Sequence, residues 1–261
     1  FVRLSVKVGY GGVDVNLNAA KTDGVEATLA LFKEANVKPA VANLPLQFAT
    51  PDEAAFQAGL KALPENAQFA AAIGLQRMMA VLSPASPVPK DERRKFIKER
   101  VTAIGEVLQR SQIRLGLEFL GPMYFRSNEK NPHTFMYTLP ETAALAAECG
   151  PNIGVVLDAW HWHHSGGTTA DILAAGKSRI VHIHVSDAKP GPPEEVRDNQ
   201  RHMPGEGVID LMGFFQALKK IGYVDGVSPE PLGRVPADMS PEEGARLGLE
   251  TTLAMMKKAG V

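Results

Sequence analysis

Short apolar segments alternate with amphipathic segments along the chain, and the apolar segments are rich in Val, Ile and Leu. Continuously apolar strands are typical of a parallel sheet whose outer face is covered by helices. Eight such segments, with helices between them, predict an α/β fold with a (β/α)8 barrel. The eight segments are VRLSV (2–6), GVDVNL (12–17), KPAVANL (38–44), LQRMMAVL (75–82), IRLGLEFL (113–120), IGVVLD (153–158), RIVHIHV (179–185) and DGVSPEP (225–231).

Several of the predicted helices have recognisable ends. The last begins with Ser240 as a cap and Pro241 in its first turn, carries Glu243 to complete a capping box, and stops at Gly260. In DLMGFFQALKKIG, Asp210 is placed to cap a helix with one apolar face. These boundaries support the alternation of strands and helices.

The alternation breaks between the first two predicted strands, which are separated only by residues 7–11. A parallel crossover needs a dozen or more residues. Either these two strands form a hairpin, or the first helix is short or missing, and the segment VGYGGVDV resembles a helix end followed by a strand. We therefore expect residues 1–261 to form a single TIM-barrel domain whose first helix is short or missing.

The last four predicted strands end in Glu118, Asp158, His184 and Glu230. Active sites of β/α barrels lie at the C-terminal ends of the strands. Each residue alone has an ordinary structural role open to it, as a helix cap, an ion-pair partner or a core group. At matching positions of successive strands, however, three carboxylates and one imidazole suit one divalent ion, namely Mn²⁺, Mg²⁺, Co²⁺ or Zn²⁺. Three converging negative charges also require a cation.

The seventh predicted strand contains two histidines, His182 and His184. Side chains two residues apart on a strand point to the same face, so both rings are expected inside the barrel. His184 is nearer the C-terminal end and is the better metal ligand. His182 lies one layer deeper, where it would support the ligands or the core.

The charge and composition exclude several classes of protein. Lys and Arg number 28 against 29 Asp and Glu, so no strong overall charge favours nucleic acid or a membrane surface. The single cysteine, Cys149, cannot form an internal disulfide. No apolar segment is long enough to span a membrane, and we expect no secretion signal because the first residues lack a basic region followed by an apolar core. We expect a cytoplasmic protein without nucleic-acid or membrane partners.

Five motifs resemble one known family, the sugar phosphate isomerase and epimerase superfamily with the xylose isomerase-like TIM barrel. Its members include ketose 3-epimerases, hydroxypyruvate isomerase, and inosose isomerases and dehydratases. The resemblance covers most of the chain and is strongest from residue 113 onward. The motifs are LGLEFLGP, VVLDAWHWHHSGGT, VHIHVSDA, RHMPGEGVID and PEPLG.

The resemblance implies a role for six residues. Glu118, Asp158, His184 and Glu230 match the metal ligands of the family. His161 and Arg201 match positions that bind substrate oxygens in ketose epimerases, and Glu118 and Glu230 match the pair that moves a proton on opposite faces of the sugar. The implied activity is metal-dependent isomerisation or epimerisation, by proton transfer beside a carbonyl of a sugar, cyclitol or small hydroxy-keto compound through a metal-stabilised enediolate.

Other features refine or limit this implication. Trp160 and Trp162 could both be core residues. We favour the alternative that one of the two forms an aromatic wall that contacts the substrate, and the sequence does not show which one. Ketose epimerases have a further glutamate a few residues after the first ligand, whereas the segment GPMYFRSNEK offers Tyr124 and no acidic residue until Glu129. The extra histidines of the family's DNA-repair endonucleases are absent. SGGTTADIL could offer backbone amides to a phosphate, although Thr168 or Thr169 as an ordinary helix cap is favoured.

Several alternatives remain open at this level. A lyase that dehydrates a cyclic keto-polyol would begin with the same proton removal, and a non-catalytic sugar-binding relative would retain the barrel. The predicted partner is a small sugar or polyol. The sequence does not define its identity, the metal or any homo-oligomeric state.

Overall fold

In the computed structural model, which describes residues 2–235 and 239–261, strands and helices alternate along the chain. The strands are β1 Gly12–Val15, β2 Lys38–Asn43, β3 Arg77–Leu82, β4 Ala85–Ser86, β5 Arg114–Phe119, β6 His133–Thr134, β7 Ile153–Asp158, β8 Ile180–Val185 and β9 Val227–Pro229. The α-helices are α1 Val2–Val8, α2 Leu17–Asp23, α3 Val25–Ala35, α4 Glu53–Ala72, α5 Lys90–Arg110, α6 Leu139–Cys149, α7 Ala159–His164, α8 Thr169–Arg179, α9 Leu211–Lys220 and α10 Pro241–Ala259.

Seven parallel strands form the main sheet, in the order β1-β2-β3-β5-β7-β8-β9. The sheet curls so that its two edge strands approach each other. A hydrogen bond joins these edges, in which Ser228 Oγ in β9 donates to Asp14 Oδ1 in β1 at 3.2 Å. The short strands β4 and β6 pair separately and antiparallel. The observed α/β barrel architecture confirms the predicted fold class.

The first predicted strand is wrong, because residues 2–6 belong to the helix α1. Ser5 and Val8, three residues apart, are the buried positions of this helix. Lys7 Nζ lies 2.5 Å from Glu242 Oε2 and so connects α1 to α10. The short link at residues 9–11 therefore joins a helix to a strand, and the first helix is short. Seven of the eight predicted segments form the main sheet of the described residues.

The predicted helix ends are observed. Ser240 and Glu243 form a capping box at the start of α10, and Gly260 ends that helix in the left-handed conformation. Asp210 caps α9 by accepting a hydrogen bond from the backbone of Gly213 at 2.9 Å. None of the helices in the described residues combines the length and the apolar character needed to cross a membrane.

Two apolar clusters support the sheet. The buried residues of the first cluster run from Val13 to Ile153, and those of the second run from Phe119 to Ala259. All six residues of β7 and all six of β8 are buried. The strands that carry Asp158 and His184 are therefore the most enclosed part of the sheet, which gives their C-terminal ends a fixed position.

Candidate active site

Four side chains converge at the C-terminal ends of the parallel strands. Glu118 lies in β5, Asp158 ends β7, His184 lies in β8, and Glu230 follows β9. One potential ligand atom from each lies within 4.8 Å of the others. The structure thus brings together all four residues that the sequence predicts as metal ligands.

The strand register accounts for this convergence. Asp158 pairs directly with His184, and Glu118 pairs with Val156, two residues before Asp158 on the same strand. Beyond the end of β9, the backbone N–H of Glu230 donates to the carbonyl of Val185 at 2.9 Å. Because side chains two residues apart share a face of a strand, this register directs the four side chains to one point.

The ligand cluster has a high density of ionisable groups. His184 Nδ1 lies 3.0 Å from Glu118 Oε1 and 3.5 Å from Glu230 Oε2. Glu118 and His184 are buried, whereas the Glu230 side chain is one-third exposed. Burial lowers the pKa of His184, but hydrogen bonds to the two glutamates outweigh it and raise that pKa well above its ordinary value.

Asp158 is fully buried and bonded through both oxygens. Its Oδ1 accepts a hydrogen bond from the backbone N–H of Trp160 at 2.8 Å and thereby caps α7. Its Oδ2 accepts a hydrogen bond from Arg201 Nη1 at 2.8 Å. Burial raises the pKa of Asp158, but the positive charge of Arg201, aided by His161 and His184, outweighs it and lowers that pKa to about 2. Asp158 is therefore a carboxylate at neutral pH.

Arg201 reaches the cluster from the loop between β8 and α9. Its Nη1 also donates to Glu230 Oε2 at 2.9 Å, and its Nη2 donates to Asp198 Oδ1 at 2.6 Å. Burial alone would lower the pKa of Arg201, but the neighbouring carboxylates have the larger effect. The net shift of that pKa is upward, so the guanidinium stays charged. Its Cζ lies 5.3 Å from the centre of the Trp160 ring. The structure therefore places this predicted substrate-binding residue beside the ligands.

A buried carboxylate, Asp187, anchors the loop that carries Arg201. It is 1% exposed and accepts hydrogen bonds from four backbone N–H groups. Gly207 permits this close approach, since a Cβ there would lie 2.1 Å from the Ala188 carbonyl oxygen. Asp187 is not among the residues predicted from the sequence; the available signal was an aspartate between a buried strand and a long Gly- and Pro-rich loop.

His161 lies in α7, three residues after Asp158 and close to Arg201. Its Nε2 is 3.6 Å from Asp158 Oδ2 and 3.4 Å from Arg201 Nη2. The helix can approach β5 because residue 121 is glycine, and a Cβ there would lie 2.0 Å from the His161 carbonyl oxygen. The predicted pair of substrate-binding residues is thus assembled next to the ligand cluster.

The two tryptophans of α7 point to different surroundings. Trp160 is nearly fully buried, with its ring beside Arg201. Trp162 packs against Phe214 of α9, with ring centres 5.3 Å apart, and donates to the backbone carbonyl of Thr168 at 3.2 Å. The structure thus packs Trp162 against the core and places Trp160 beside Arg201, while contact of either ring with the substrate stays a prediction.

His182 lies one layer below His184, as its position in the strand predicts. Its Nε2 is 3.0 Å from Ser228 Oγ, which in turn donates to Asp14. Burial is the main cause that lowers the pKa of His182, to about 3, so the ring is neutral at physiological pH. Its partner Ser228 links the sheet edge at β9 to the edge at β1.

A cavity of about 550 Å³ opens beside His184 and Glu230 and extends to the ends of β1 and β2. Asp14 and Asn43 lie on the far wall of this cavity. Sequence analysis did not identify either residue. The same strand-end argument that found the ligands could have found Asp14, because it lies near the C-terminal end of β1.

The N-terminus of α8 is satisfied by its own side chains. Thr168 and Asp171 form a capping box there. The favoured assignment of Thr168 as an ordinary cap is therefore confirmed.

The donor set fits a divalent cation. Three carboxylates lie around His184, and the guanidinium of Arg201, already shared with Asp198, does not balance their charge. Carboxylate oxygens and an imidazole nitrogen are common ligands of zinc and manganese. Glu118, Asp158, His184 and Glu230 could together hold one such ion.

Comparisons with known proteins point to one family. Residues 2–258 match the family model described as the xylose isomerase-like TIM barrel. An inosose isomerase from Bacillus velezensis is 26% identical over 229 residues, which cover 87% of this chain and 79% of that protein. A xylose isomerase domain protein from Alicyclobacillus acidocaldarius superposes with a TM-score of 0.90 at 27% identity, covering 100% of this chain and 93% of that one. The IOLI protein with a bound zinc atom superposes with a TM-score of 0.83 at 24% identity, covering 99% and 92%.

Proposed function

The chain belongs to the xylose isomerase-like TIM barrel family, and we propose that it is a divalent-metal-dependent isomerase or epimerase of a sugar or cyclitol. The inosose isomerase among its relatives supports a small polyol substrate that carries a carbonyl group. The proposed reaction is the transfer of a proton at a carbon beside that carbonyl.

One observation carries the proposal: the convergence of Glu118, Asp158, His184 and Glu230 within 4.8 Å at the catalytic end of the barrel. A structural role alone would not explain three carboxylates at one largely buried point, because the single guanidinium of Arg201 offsets only part of their mutual repulsion. A bound divalent ion polarises a carbonyl and stabilises the negative charge that develops when the adjacent carbon loses its proton.

The residues around this point have distinct proposed roles. Glu118 and Glu230, which both lie beside His184 Nδ1, exchange the proton with the substrate carbon. If they act from opposite faces of the substrate, the configuration at that carbon is inverted; if one carboxylate moves the proton between neighbouring carbons, an aldose becomes a ketose. Arg201 and His161 bind and orient substrate oxygens, and Arg201 also holds the carboxylate of Glu230 in place.

The proposal is tested by solvent exchange. Metal-depleted protein is reloaded with Mn²⁺, Zn²⁺, Co²⁺ or Mg²⁺ and incubated in ²H₂O with an inosose and with free ketoses. NMR then follows replacement of the C–H group beside the carbonyl. We expect metal-dependent deuterium incorporation without loss of water. An absorbing enone would indicate the lyase alternative, and binding without exchange would indicate a sugar-binding protein.

A substitution tests the assigned base. Glu118→Gln retains the shape of the side chain but cannot accept the proton, so deuterium incorporation should fall by about a hundredfold or more. Glu99→Gln removes a carboxylate from the exposed face of α5 and serves as the matched control. Full activity of Glu118→Gln would contradict the mechanism.

A further inference from the structure

The cavity wall opposite the ligand cluster carries the polar side chains of Asp14 and Asn43. His184 and Glu230 line one side, and the ends of β1 and β2 line the other with Asp14 and Asn43. One potential ligand atom of Asp14 lies within 4.8 Å of such atoms in His182 and His184. A molecule that reaches the ligand cluster through this cavity therefore contacts the carboxylate of Asp14.

The orientation of Asp14 is fixed by a chain of hydrogen bonds. The buried His182 places its Nε2 3.0 Å from Ser228 Oγ, and Ser228 Oγ donates to Asp14 Oδ1 at 3.2 Å. His182 Nδ1 has no hydrogen-bond partner within the described residues. An unpartnered acceptor is easier to bury than an unpartnered donor on this ring, so we assign the proton to Nε2. His182 then donates to Ser228, which donates to Asp14, and the second oxygen of Asp14 remains available as an acceptor.

The described residues that line this cavity include no lysine and no arginine. Arg201, the cation beside the cluster, is already bonded to Asp158, Glu230 and Asp198. A phosphate group in the cavity would therefore meet the negative charge of Asp14 without a compensating cation.

The helix N-terminus that lines the cavity is that of α2, at residues 16–18, where Asn16 Oδ1 already accepts the backbone N–H of Ala19 at 3.1 Å. The N-terminus of α8 lies outside the cavity lining and is also capped. Helix N-termini commonly bind phosphate through free backbone N–H groups. In α8, the carboxylate of Asp171 already accepts the backbone N–H of Thr168 at 2.8 Å, and Thr168 accepts that of Asp171. This end of the helix carries its own negative group.

We propose that Asp14 is a specificity-determining residue that accepts a hydrogen bond from a hydroxyl group of an uncharged polyol substrate and excludes phosphorylated sugars. This inference rests on the proposed function and narrows its substrate class to unphosphorylated ketoses and cyclitols. Ser228 and His182 are positioning residues that hold the carboxylate toward the cavity.

The test compares a free ketopentose with its 5-phosphate in the metal-loaded protein, using deuterium incorporation as the assay. The free sugar should be preferred by about tenfold or more in kcat/KM. Asp14→Asn should lower kcat/KM for the free sugar about ten- to hundredfold and reduce the preference, because an amide is a weaker acceptor than a carboxylate. Asp91→Asn, which removes an exposed carboxylate at the start of α5, should leave both values unchanged.

A binding measurement tests the specificity role of Asp14 independently of the proposed enzymatic activity. Calorimetric titration with myo-inositol and with an inositol monophosphate requires no turnover. Tighter binding of the neutral polyol, weakened by Asp14→Asn, supports the inference even if no substrate exchanges deuterium, in which case only the proposed function fails. Equal acceptance of the phosphorylated compound, or an Asp14→Asn protein that binds and reacts like the wild type, would overturn the inference.

Discussion

Replacement of Asp187 by asparagine should destabilise the protein and displace Arg201. The Asp187 carboxylate accepts the backbone N–H groups of Ala188 and Ile209 through Oδ1, at 2.8 and 2.9 Å, and those of Gly205 and Gly207 through Oδ2, both at 3.0 Å. In asparagine one oxygen becomes an NH₂ group. Whichever way the amide turns, two backbone donors lose their acceptor.

The magnitude follows from these two donors. A buried donor left without an acceptor costs about 1–3 kcal/mol, so Asp187→Asn should lower the free energy of unfolding by about 2–6 kcal/mol. Urea denaturation of the metal-free protein measures this loss. Asp210→Asn is the matched control, because Asp210 accepts one backbone N–H as a helix cap and asparagine caps equally well. The control should change stability by less than about 0.5 kcal/mol.

The same substitution reports on the position of Arg201. The loop is attached at residue 187, whose backbone exchanges hydrogen bonds with His202, the neighbour of Arg201 in sequence. The folded Asp187→Asn protein should therefore show lower kcat/KM in deuterium exchange as well as lower stability. A loss of stability below about 0.5 kcal/mol would refute the argument from unsatisfied donors. Unchanged kcat/KM in a destabilised protein would refute the positioning role.

Three further substitutions probe the core, the guanidinium network and the pH dependence. Trp162→Phe should lower the free energy of unfolding by about 1–3 kcal/mol, through the lost bond to Thr168 and imperfect packing on Phe214, with metal affinity by calorimetry unchanged. Arg201→Lys keeps the charge but not the planar fork that reaches several carboxylates, so kcat/KM should fall about tenfold or more. Burial lowers the pKa of His164 to about 4. Between its ordinary pKa of 6.5 and about pH 4, the unfolded chain binds a proton at His164 that the folded chain does not, so acidification destabilises the fold. His164→Gln should make the fall in unfolding free energy between pH 7 and pH 5 shallower in urea titrations.

Each of these three predictions would be contradicted by a specific result. Weakened metal binding in Trp162→Phe would place that ring at the site rather than in the core. Wild-type kcat/KM in Arg201→Lys would mean that charge alone suffices at this position. An identical pH slope in His164→Gln would assign the acid destabilisation to other groups.

The ligand cluster was predictable because it depends on two regular features of a parallel sheet. Side chains alternate along a strand, and the C-terminal ends of neighbouring strands lie at one edge. Glu118, Asp158, His184 and Glu230 could thus be placed together without knowledge of the loops. Arg201 was different, because its position depends on a long loop and on the carboxylate of Asp187, and only the family resemblance identified it.

The errors have equally local causes. In VRLSVKV, apolar and polar residues alternate with period two, yet Ser5 and Val8 are buried at helical spacing. Over seven residues the two periods cannot be distinguished, and packing against α10 and α3 favours the helix. Trp160 and Trp162 are two residues apart in α7, which rotates their directions by about 200°. The sequence could therefore place one of them near the site but could not decide which.

The residues proposed to carry out the reaction and those proposed to select the substrate lie on different strands of the sheet. The proposed metal ligands and proton carriers lie on β5 to β9, whereas the wall that contacts the distant part of a substrate lies at the ends of β1 and β2. Ser228 connects β9 to Asp14 on β1, and its partner His182 touches the ligand cluster only through a ring contact with His184, with ring centres 5.2 Å apart. Substitutions at Asp14 or Asn43 should then alter substrate preference while metal affinity is retained. Ser228→Ala should do the same more weakly, since it releases the Asp14 carboxylate without removing it.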